Sequence, residues 1–223
     1  SRRRHTRCSR DWSSDVCSSD LPSETFVFGC FNNSFKINPD MFHGWLKILK
    51  NTKNSVLWLI ENNSIFKNNL ILEAKKLNLD PSRIIFRKIL KTEEHLMTYK
   101  FIDLFLDTYP YNAHTTACES LYEGVPVLTR SGSSFASRVS MSLLSNLKIN
   151  ELITFSQEEY EKKAIEIASS PVIVKNIKEK IKEQIKTTNV FNLKSYVKDL
   201  EFAYSSAINK YYNGERPGDL YIN

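Results

Sequence analysis

Short apolar runs alternate along the chain with longer stretches in which apolar residues recur at helical spacing. The apolar runs predict strands at 25–31, 55–60, 83–87, 102–106, 125–129 and 152–155. Nearly continuous apolar runs, without a polar face, are typical of parallel strands covered on both sides. Strands that alternate with helices predict repeated βαβ units. The fold class is therefore α/β, with a doubly wound parallel sheet.

The stretches between the strands carry start signals of helices. Asn38 precedes Pro39, an N-cap followed by proline at the first helical position. Thr92 is predicted to cap a short helix whose first turn holds Glu93 and Glu94, the placement that the helix dipole favours. Further helices are predicted at 65–77, 136–147, 158–168, 171–186 and 192–212, and those from about residue 157 onward form a helical C-terminal extension.

The most informative βαβ unit lies at 103–129. A turn-rich loop, 107–113, leads into His114, Thr115 and Thr116, which open a helix that Gly124 ends. The start of a helix offers free N–H groups and the positive end of the dipole, and the two threonines add hydroxyls. The unit therefore predicts an anion site, and we expect the anion to be a sugar-nucleotide diphosphate.

The loops after strands one, three and four all leave the carboxyl ends of their strands. These loops are 32–36, 88–92 and 108–113. Ligands of doubly wound sheets bind beyond such ends, so we expect the three loops to converge on one crevice. Lys36 is the cation of the first loop and would reach a pyrophosphate as a point charge. A solvated surface lysine is the alternative.

Three further side chains have a structural explanation beside the functional one. His95 lies in the first turn of its helix and could be structural or exposed. His114 could serve as a simple N-cap. Glu119 lies one turn further on and could accept from ribose hydroxyls or remain a surface carboxylate. The residues alone leave these alternatives open.

Composition narrows the class of protein. The 223 residues suffice for one domain, and no apolar run approaches the length that spans a membrane. Part of the net charge of +6 lies in the first residues, and the remaining lysines scatter through the C-terminal helices. That scatter is typical of a solvated face and does not favour a nucleic-acid interaction domain. No G-x-G-x-x-G, Walker loop, G-x-S-x-G or Cys/His cluster is present, which favours a metal-free phosphate site.

Residues 1–21 differ from the rest of the chain. They hold five Arg and three Asp with no apolar periodicity, and they resemble a translated sequencing adapter. We predict that this segment is non-native or disordered, that the domain is 22–223, and that the chain is a fragment. Without Cys8 and Cys17, the remaining Cys30 and Cys118 suggest no disulfide framework, which fits a cytoplasmic protein.

Eight short motifs in one order identify a family. From Glu24 to its C-terminus the chain resembles the C-terminal catalytic lobe of the O-linked N-acetylglucosamine transferase / SPINDLY family (glycosyltransferase family 41). The motifs are FNNSFKINP from Phe31, SVLWL from Ser55, RIIF from Arg83, EEH from Glu93, LDT from Leu106, NAHTT from Asn112, EGVP from Glu123 and ASRV from Ala136.

The resemblance implies the Rossmann-like C-terminal lobe of a GT-B glycosyltransferase. Such an enzyme is inverting, needs no metal or cofactor, and transfers a sugar to Ser or Thr of proteins, or to Asn in one branch. The expected donor is UDP-N-acetylglucosamine. The protein acceptor is held by an N-terminal lobe, usually preceded by tetratricopeptide repeats, so the fragment is expected to be inactive alone. Neither a nucleic acid nor a membrane is an expected partner.

The resemblance also implies the roles of individual residues. Lys36 is the expected catalytic residue, since a cation beside the leaving diphosphate stabilises the charge that develops there. The donor-binding set comprises Asn33 and Lys36 at the diphosphate, the Leu90 backbone at the base, His95 at the nucleoside, His114, Thr115 and Thr116 at the phosphates, and Glu119 at the ribose.

Four positions depart from the animal members of the family. Those members carry Gln, Lys, Arg and Asp where this chain has Asn33, Thr92, Thr98 and Glu119. The loss of two cations beside the base and ribose leaves UDP-N-acetylglucosamine, UDP-glucose and GDP-fucose open as donors. A regulatory module that binds a nucleotide sugar without transferring it is the alternative function.

The last predicted helix carries an apolar stripe. The stripe is expected to pack on its own lobe, or to stay partly uncovered where a second lobe is missing. Its members are Leu193, Tyr196, Val197, Leu200 and Tyr204.

Overall fold

One parallel sheet organises the computed structural model, which describes residues 25–220. Its strands are β1 (Phe26–Cys30), β2 (Ser55–Ile60), β3 (Ile84–Arg87), β4 (Leu104–Leu106), β5 (Val127–Arg130) and β6 (Ile153–Thr154). They pair in the order β3-β2-β1-β4-β5-β6, all in parallel. The predicted doubly wound parallel sheet is confirmed. The segment 1–21, predicted to be non-native, lies outside the described residues.

Helices follow the strands as predicted. They are α1 (Pro39–Asn51), α2 (Ser64–Lys76), α3 (Thr92–Thr98), α4 (Thr115–Tyr122), α5 (Val139–Asn146), α6 (Gln157–Ala168), α7 (Pro171–Thr187) and α8 (Leu193–Tyr212). The predicted N-cap of α1 is confirmed, because the Asn38 side chain accepts from the Met41 N–H at 2.9 Å. Gly124 ends the segment of α4 at φ +77°, a conformation that glycine adopts without steric cost.

The core lies on both faces of the sheet. Val27 and Phe28 on neighbouring positions of β1 are both fully buried, which explains why that strand is apolar throughout. Trp45 of α1 and Tyr160 of α6 meet above it, where Trp45 Nε1 donates to Tyr160 Oη at 3.2 Å. Tyr160 Oη in turn donates to the Asp107 carbonyl at 2.9 Å, so both polar groups of this buried pair are satisfied.

Two predicted starts of elements are wrong by one or two residues for local reasons. Thr92 is the first residue of α3 and not its cap; the N-cap is Lys91, whose side chain makes no capping hydrogen bond. β4 begins at Leu104 and not at residue 102, because Tyr99–Phe101 forms a 3₁₀ turn and the following Asp103 carboxylate accepts from the Val27 N–H at 2.9 Å.

Two other predicted elements are shorter than expected. β5 begins at Val127 and not at residue 125, since Pro126 has no N–H to give to a ladder. The helix predicted at 136–147 is divided into a 3₁₀ turn, Phe135–Ser137, and α5. The Ser134 side chain caps that turn and takes part in a capping box with Ser137.

The C-terminal helices differ in how much they bury. α6 and α7 pack on the domain, and Ile181 of α7 is fully buried. α8 holds no buried residue, and Leu193 and Tyr204 are 72% and 67% exposed. The expectation that part of the stripe stays uncovered is confirmed. Within residues 25–220, no helix combines the length and apolar character that crossing a membrane requires.

Candidate functional site

The loops that follow β1 and β4 meet where the strand order reverses. Lys36, at the end of the first loop, donates from Nζ to the Asn112 carbonyl of the second loop at 2.9 Å. Asn32 Nδ2 donates to Thr108 Oγ1 across the same gap at 2.8 Å. In doubly wound sheets this reversal point is where ligands bind. The predicted convergence of these two loops is confirmed.

Asp107 fixes the shape of the loop after β4. This fully buried carboxylate accepts from the Thr108 N–H at 2.8 Å, the Ala113 N–H at 2.6 Å and Thr129 Oγ1 at 2.6 Å. It therefore ties the two ends of loop 108–113 to one point beneath α4. Burial raises the pKa of Asp107 from 3.8 to about 6. Sequence reasoning missed this residue, whose only signal is its place directly after a buried strand.

The start of α4 presents unpartnered donors. The N–H groups of Thr115 and Thr116 donate to no described group, and the exposed Thr115 hydroxyl has no partner among residues 25–220. Thr116 Oγ1, in contrast, donates to Asn32 Oδ1 at 2.5 Å, so its proton is already used. Of the two predicted hydroxyls, that of Thr116 is therefore already engaged with a residue of the fold. The free N–H groups and the helix dipole still favour an anion at this point.

His114 occupies the N-cap position of α4 without acting as a cap. Among residues 25–220, its side chain makes no capping hydrogen bond and its buried Nε2 has no partner. Burial first, and then the nearby Lys36 ammonium, lower the pKa of His114, so the ring is neutral at neutral pH. The alternative in which His114 simply caps the helix is wrong.

Aromatic rings surround Lys36 and His114. The Lys36 ammonium lies 4.0 Å from the centre of the Tyr111 ring, and the His114 ring lies 5.2 Å from Tyr111 and 6.1 Å from Phe135. Phe35 continues the series at 5.8 Å from Tyr111. Lys36 is partly buried, and burial lowers the pKa of its ammonium. A partly desolvated cation interacts more strongly with an anion than a fully solvated one. We call Lys36 with the start of α4, His114–Thr116, the open end of the crevice.

A second cluster lies one turn further along α4. His95 Nε2 lies 3.0 Å from Glu119 Oε2, and Tyr99 Oη donates to the same oxygen at 3.1 Å. Arg87, the last residue of β3, donates from an Nη atom to His95 Nδ1 at 2.5 Å. We call Arg87, His95, Tyr99 and Glu119 the closed end of the crevice. α4 joins the two ends, since it carries Thr115 and Thr116 in its first turn and Glu119 in its second.

Arg87 and Tyr99 were missed by sequence reasoning. Arg87 is only 4% exposed and its guanidinium stacks 4.0 Å from the centre of the Phe31 ring. Burial lowers the pKa of Arg87 to about 10, which still leaves it charged at neutral pH. Burial also raises the pKa of Tyr99, so that its hydroxyl keeps its proton. An arginine that ends an otherwise apolar strand is the signal that could have identified this cluster.

Asn33 and Leu90 lie in the predicted loops but outside both clusters. Asn33 Oδ1 accepts from the Phe35 N–H at 3.4 Å and from Asn62 Nδ2 at 3.2 Å, and it caps the short turn that carries Lys36. Leu90 is half-buried in the connection between β3 and α3. The Asn33 carbonyl accepts from the Lys36 N–H at 3.0 Å, but no described side-chain hydrogen bond links Asn33 to either end, and no described hydrogen bond links Leu90 to them.

The cysteines and the potential metal ligands form no site in the described part of the chain. Cys30 and Cys118 are both free thiols, and burial raises the pKa of Cys30 to about 12. No three His, Cys, Asp or Glu side chains among residues 25–220 lie close enough together to hold a metal ion.

Comparison with known proteins gives one consistent result. Residues 14–200 match the family Glycosyl transferase family 41. The UDP-N-acetylglucosamine–peptide N-acetylglucosaminyltransferase of Caenorhabditis elegans is 32% identical over 87% of this chain and 17% of its own length. The SPINDLY protein of Petunia hybrida is 34% identical over 86% of this chain and 21% of its own length. The chain thus spans about a fifth of the curated relatives it matches.

Solved structures agree with the sequence relatives. A mutant O-GlcNAc transferase of Thermobaculum terrenum superposes with a TM-score of 0.77 at 30% identity, covering 81% of this chain and 35% of that one. TarM of S. aureus superposes with a TM-score of 0.59 at 12% identity, covering 79% of this chain and 36% of that one, which shows the fold alone.

Proposed function

The chain belongs to glycosyltransferase family 41, and from that premise we propose that it is the nucleotide-sugar-binding lobe of a protein O-glycosyltransferase. The proposed donor is UDP-N-acetylglucosamine, and the proposed acceptors are Ser and Thr hydroxyls of proteins held by a second lobe. Binding of the donor needs no metal ion. By itself the chain binds nucleotide and transfers no sugar. The free thiols of Cys30 and Cys118 support a reducing, cytoplasmic location.

The observation that carries this proposal is the meeting of Lys36 with the start of α4. Lys36 Nζ contacts the Asn112 carbonyl, just before the start of α4. At that start, the N–H groups of Thr115 and Thr116 have no described partner. A diphosphate offers oxygens to the ammonium and to both N–H groups at once. Asn33, at the start of the same turn as Lys36, would add an amide donor.

The remaining donor parts follow along the crevice. The ribose lies against Glu119 and the base against His95, with the Leu90 backbone beside it. Glu119 Oε2 already takes two hydrogen bonds, while no described residue donates to its Oε1. Oε1 therefore remains for ribose hydroxyls. The 22% exposure of the Glu119 side chain leaves room for that approach.

In the transfer, the oxygen of the acceptor hydroxyl forms a bond to the anomeric carbon and the hydroxyl proton is released. The bond from that carbon to the diphosphate oxygen breaks, so negative charge builds on the leaving diphosphate. Lys36 and the N–H groups of Thr115 and Thr116 are oriented before the reaction, and they stabilise that charge more than they stabilise the ground state. Lys36 is therefore the catalytic residue of this lobe.

Calorimetric titration with UDP and GDP tests the proposal, with EDTA and with Mg²⁺, on the native sequence and on Lys36→Ala. We expect one nucleotide to bind equally in EDTA and Mg²⁺, and to bind at least about tenfold more weakly to Lys36→Ala. If a folded chain bound neither nucleotide, the proposal that this lobe binds a nucleotide would be overturned. Binding only with Mg²⁺ would overturn the proposal that binding needs no metal ion. Transfer by the full-length protein then separates a transferase from a regulatory module.

A further inference from the structure

Arg87 is a buried cation with no carboxylate partner. It is 4% exposed, stacks on Phe31, and forms no ion pair within the described residues. Its Nη atoms donate to His95 Nδ1 and, at 3.1 Å, to the Lys88 carbonyl, while its buried Nε has no partner. Burying a charge without a counter-charge is costly, so an arginine at this position points to a role that an apolar residue could not perform.

The hydrogen bond from Arg87 determines which nitrogen of His95 carries the proton. A guanidinium has donors and no acceptor, so His95 Nδ1 must act as the acceptor. The single proton of the neutral ring then lies on Nε2, which donates to Glu119 Oε2 at 3.0 Å. Proton direction is therefore the same along the whole series: Arg87 donates to His95, and His95 donates to Glu119.

Every group packed against His95 agrees with a neutral ring except one. The Arg87 guanidinium from β3 opposes a second positive charge, and Phe31, the residue directly after β1, offers only an apolar ring at 5.5 Å. Tyr99, on the turn after α3, keeps its proton and directs it to Glu119. Only the Glu119 carboxylate from α4 favours imidazolium. Burial and Arg87 together lower the pKa of His95.

Glu119 is the end point of the series. With His95 and Tyr99 both bound to Oε2, the carboxylate is held in one rotamer with Oε1 unoccupied by described residues. A carboxylate held in this way is oriented before the ligand arrives, so a hydroxyl pair meets it without further loss of side-chain entropy. Loss of Arg87 would free the His95 ring, and through it Glu119.

We propose that Arg87 is a positioning residue for nucleoside recognition: it holds His95 as the neutral Nε2–H tautomer, and His95 thereby holds Glu119 for the 2′- and 3′-hydroxyls of the ribose. The proposal rests on the proposed function for its ligand, a ribonucleoside diphosphate. It predicts that Arg87, which contacts no ligand itself, determines the preference for ribose over 2′-deoxyribose.

The first test reads the His95 ring directly, with no nucleotide present. Two-bond ¹H–¹⁵N correlation spectra of the ¹⁵N-labelled chain between pH 5 and 8, with His95 assigned by its loss in His95→Gln, report tautomer and protonation. We expect the neutral Nε2–H form throughout most of this range. Arg87→Met removes the donor and the positive charge. His95 should then become protonated at a higher pH, because the Glu119 carboxylate still favours imidazolium and the guanidinium no longer opposes it.

The second test compares UDP with 2′-deoxy-UDP by calorimetry. The native sequence should bind UDP about tenfold more tightly, the effect of one hydrogen bond to a charged group. Arg87→Met should reduce the ratio of the two affinities to near one, mainly by lowering the affinity for UDP. Arg87→Lys, which keeps a cationic donor, should retain part of the ratio.

Arg83→Met is the matched control. Arg83 lies beside the start of β3, and its guanidinium donates to the Leu49 and Ser55 carbonyls, far along the strand from His95. Loss of Arg83 should lower the free energy of unfolding. It should leave unchanged both the His95 spectrum and the ratio of the affinities for UDP and 2′-deoxy-UDP. A purely structural role for Arg87 would give the same pattern in Arg87→Met.

The outcomes separate this inference from the proposed function. A protonated or Nδ1–H His95 in the native sequence at pH 7 overturns the inference before any variant is made. An unchanged His95 spectrum and ratio in Arg87→Met overturn it as well. If no nucleotide binds the native sequence, the proposed function fails, while the spectra still decide whether Arg87 sets the tautomer. If Arg87→Met does not fold, Arg87→Lys and the native spectrum decide.

Discussion

The two ends of the crevice, which α4 joins, differ in how their polar groups are partnered before any ligand binds. At the open end, the first two N–H groups and the Thr115 hydroxyl donate to no described residue. At the closed end, one turn later, Glu119 Oε2 takes hydrogen bonds from both His95 and Tyr99, and Arg87 supports the ring from behind. The same short helix therefore carries unused donors in its first turn and a member of an assembled network in its second.

The difference corresponds to the chemistry of the two ligand parts. A diphosphate carries its charge on several equivalent oxygens, so a set of unpartnered donors and a cation binds it without a fixed acceptor geometry. A ribose presents two hydroxyls in fixed directions, so its partner must be held in one rotamer to discriminate. Breaking one end should therefore affect affinity and breaking the other should affect selectivity.

Asp107 gives the largest expected effect, because it holds the loop that presents the open end. Its pKa in the fold is about 6, above the ordinary 3.8, so its protonated form favours folding. That contribution is fully present below pH 3.8 and is lost as the pH rises through about 6. Relative to Asp107→Asn, the native sequence should lose about 2 kcal/mol of unfolding free energy between pH 4 and pH 7.

Urea unfolding at a series of pH values measures this difference. Asp80→Asn is the control, because Asp80 is an exposed turn residue whose pKa is lowered by the Ser82 N–H, and its dependence on pH runs in the opposite direction. Parallel pH profiles for the native sequence and Asp107→Asn would contradict the account.

Lys36→Met should break the open end alone. Removing a charged hydrogen bond to phosphate should weaken UDP about 10- to 100-fold in calorimetry. The affinity for uridine, which has no phosphate, should hardly change. Lys100→Met, which removes an exposed lysine over the Phe101 ring, is the control and should bind as the native sequence does. Equal losses for UDP and uridine would show that Lys36 supports the fold and not the phosphates.

Glu119→Gln should break the selectivity of the closed end. The amide keeps the shape of the side chain but removes the charge that accepts ribose hydroxyls. UDP should bind about tenfold more weakly and 2′-deoxy-UDP much less so. The account is contradicted if the two nucleotides weaken by the same factor.

The two neighbouring threonines give the smallest and sharpest contrast. Thr115→Ala removes a hydroxyl with no described partner, so UDP should weaken about threefold with no change in unfolding. Thr116→Ala leaves the buried Asn32 Oδ1 without its donor and should cost about 1 kcal/mol of unfolding free energy. Denaturant unfolding of both variants measures this, and an effect on stability in Thr115→Ala would be the unexpected result.

The sheet was predictable because its signals are local. Each buried strand is a continuous apolar run, and Asn38–Pro39 marks the start of α1. The division of the predicted helix 136–147 into a 3₁₀ turn and α5 was not predictable from the spacing of apolar residues. It arises because Ser134 and Ser137 form a capping box at the start of that stretch. Local side-chain bonds there override the apolar spacing.

The candidate site was predictable only in part. The Lys36 and His114–Thr116 positions follow from loops, a helix start and the family resemblance. The closed end depends on contacts between residues 8 to 24 positions apart, such as Arg87 with His95 and His95 with Glu119, which no local pattern records. The hydrogen bond from Thr116 to Asn32 also joins residues far apart in the chain, so the sequence alone could not show that one of the two hydroxyls is already engaged.

Amide chemical-shift mapping with UDP, uridine and pyrophosphate tests the central claim most directly. Pyrophosphate should shift the amides of Thr115 and Thr116, uridine those around His95 and Glu119, and UDP both sets, at the same saturation. Shifts from UDP that cluster elsewhere, for example along α8, or pyrophosphate shifts that appear at the closed end, would contradict a single crevice with two chemically different ends.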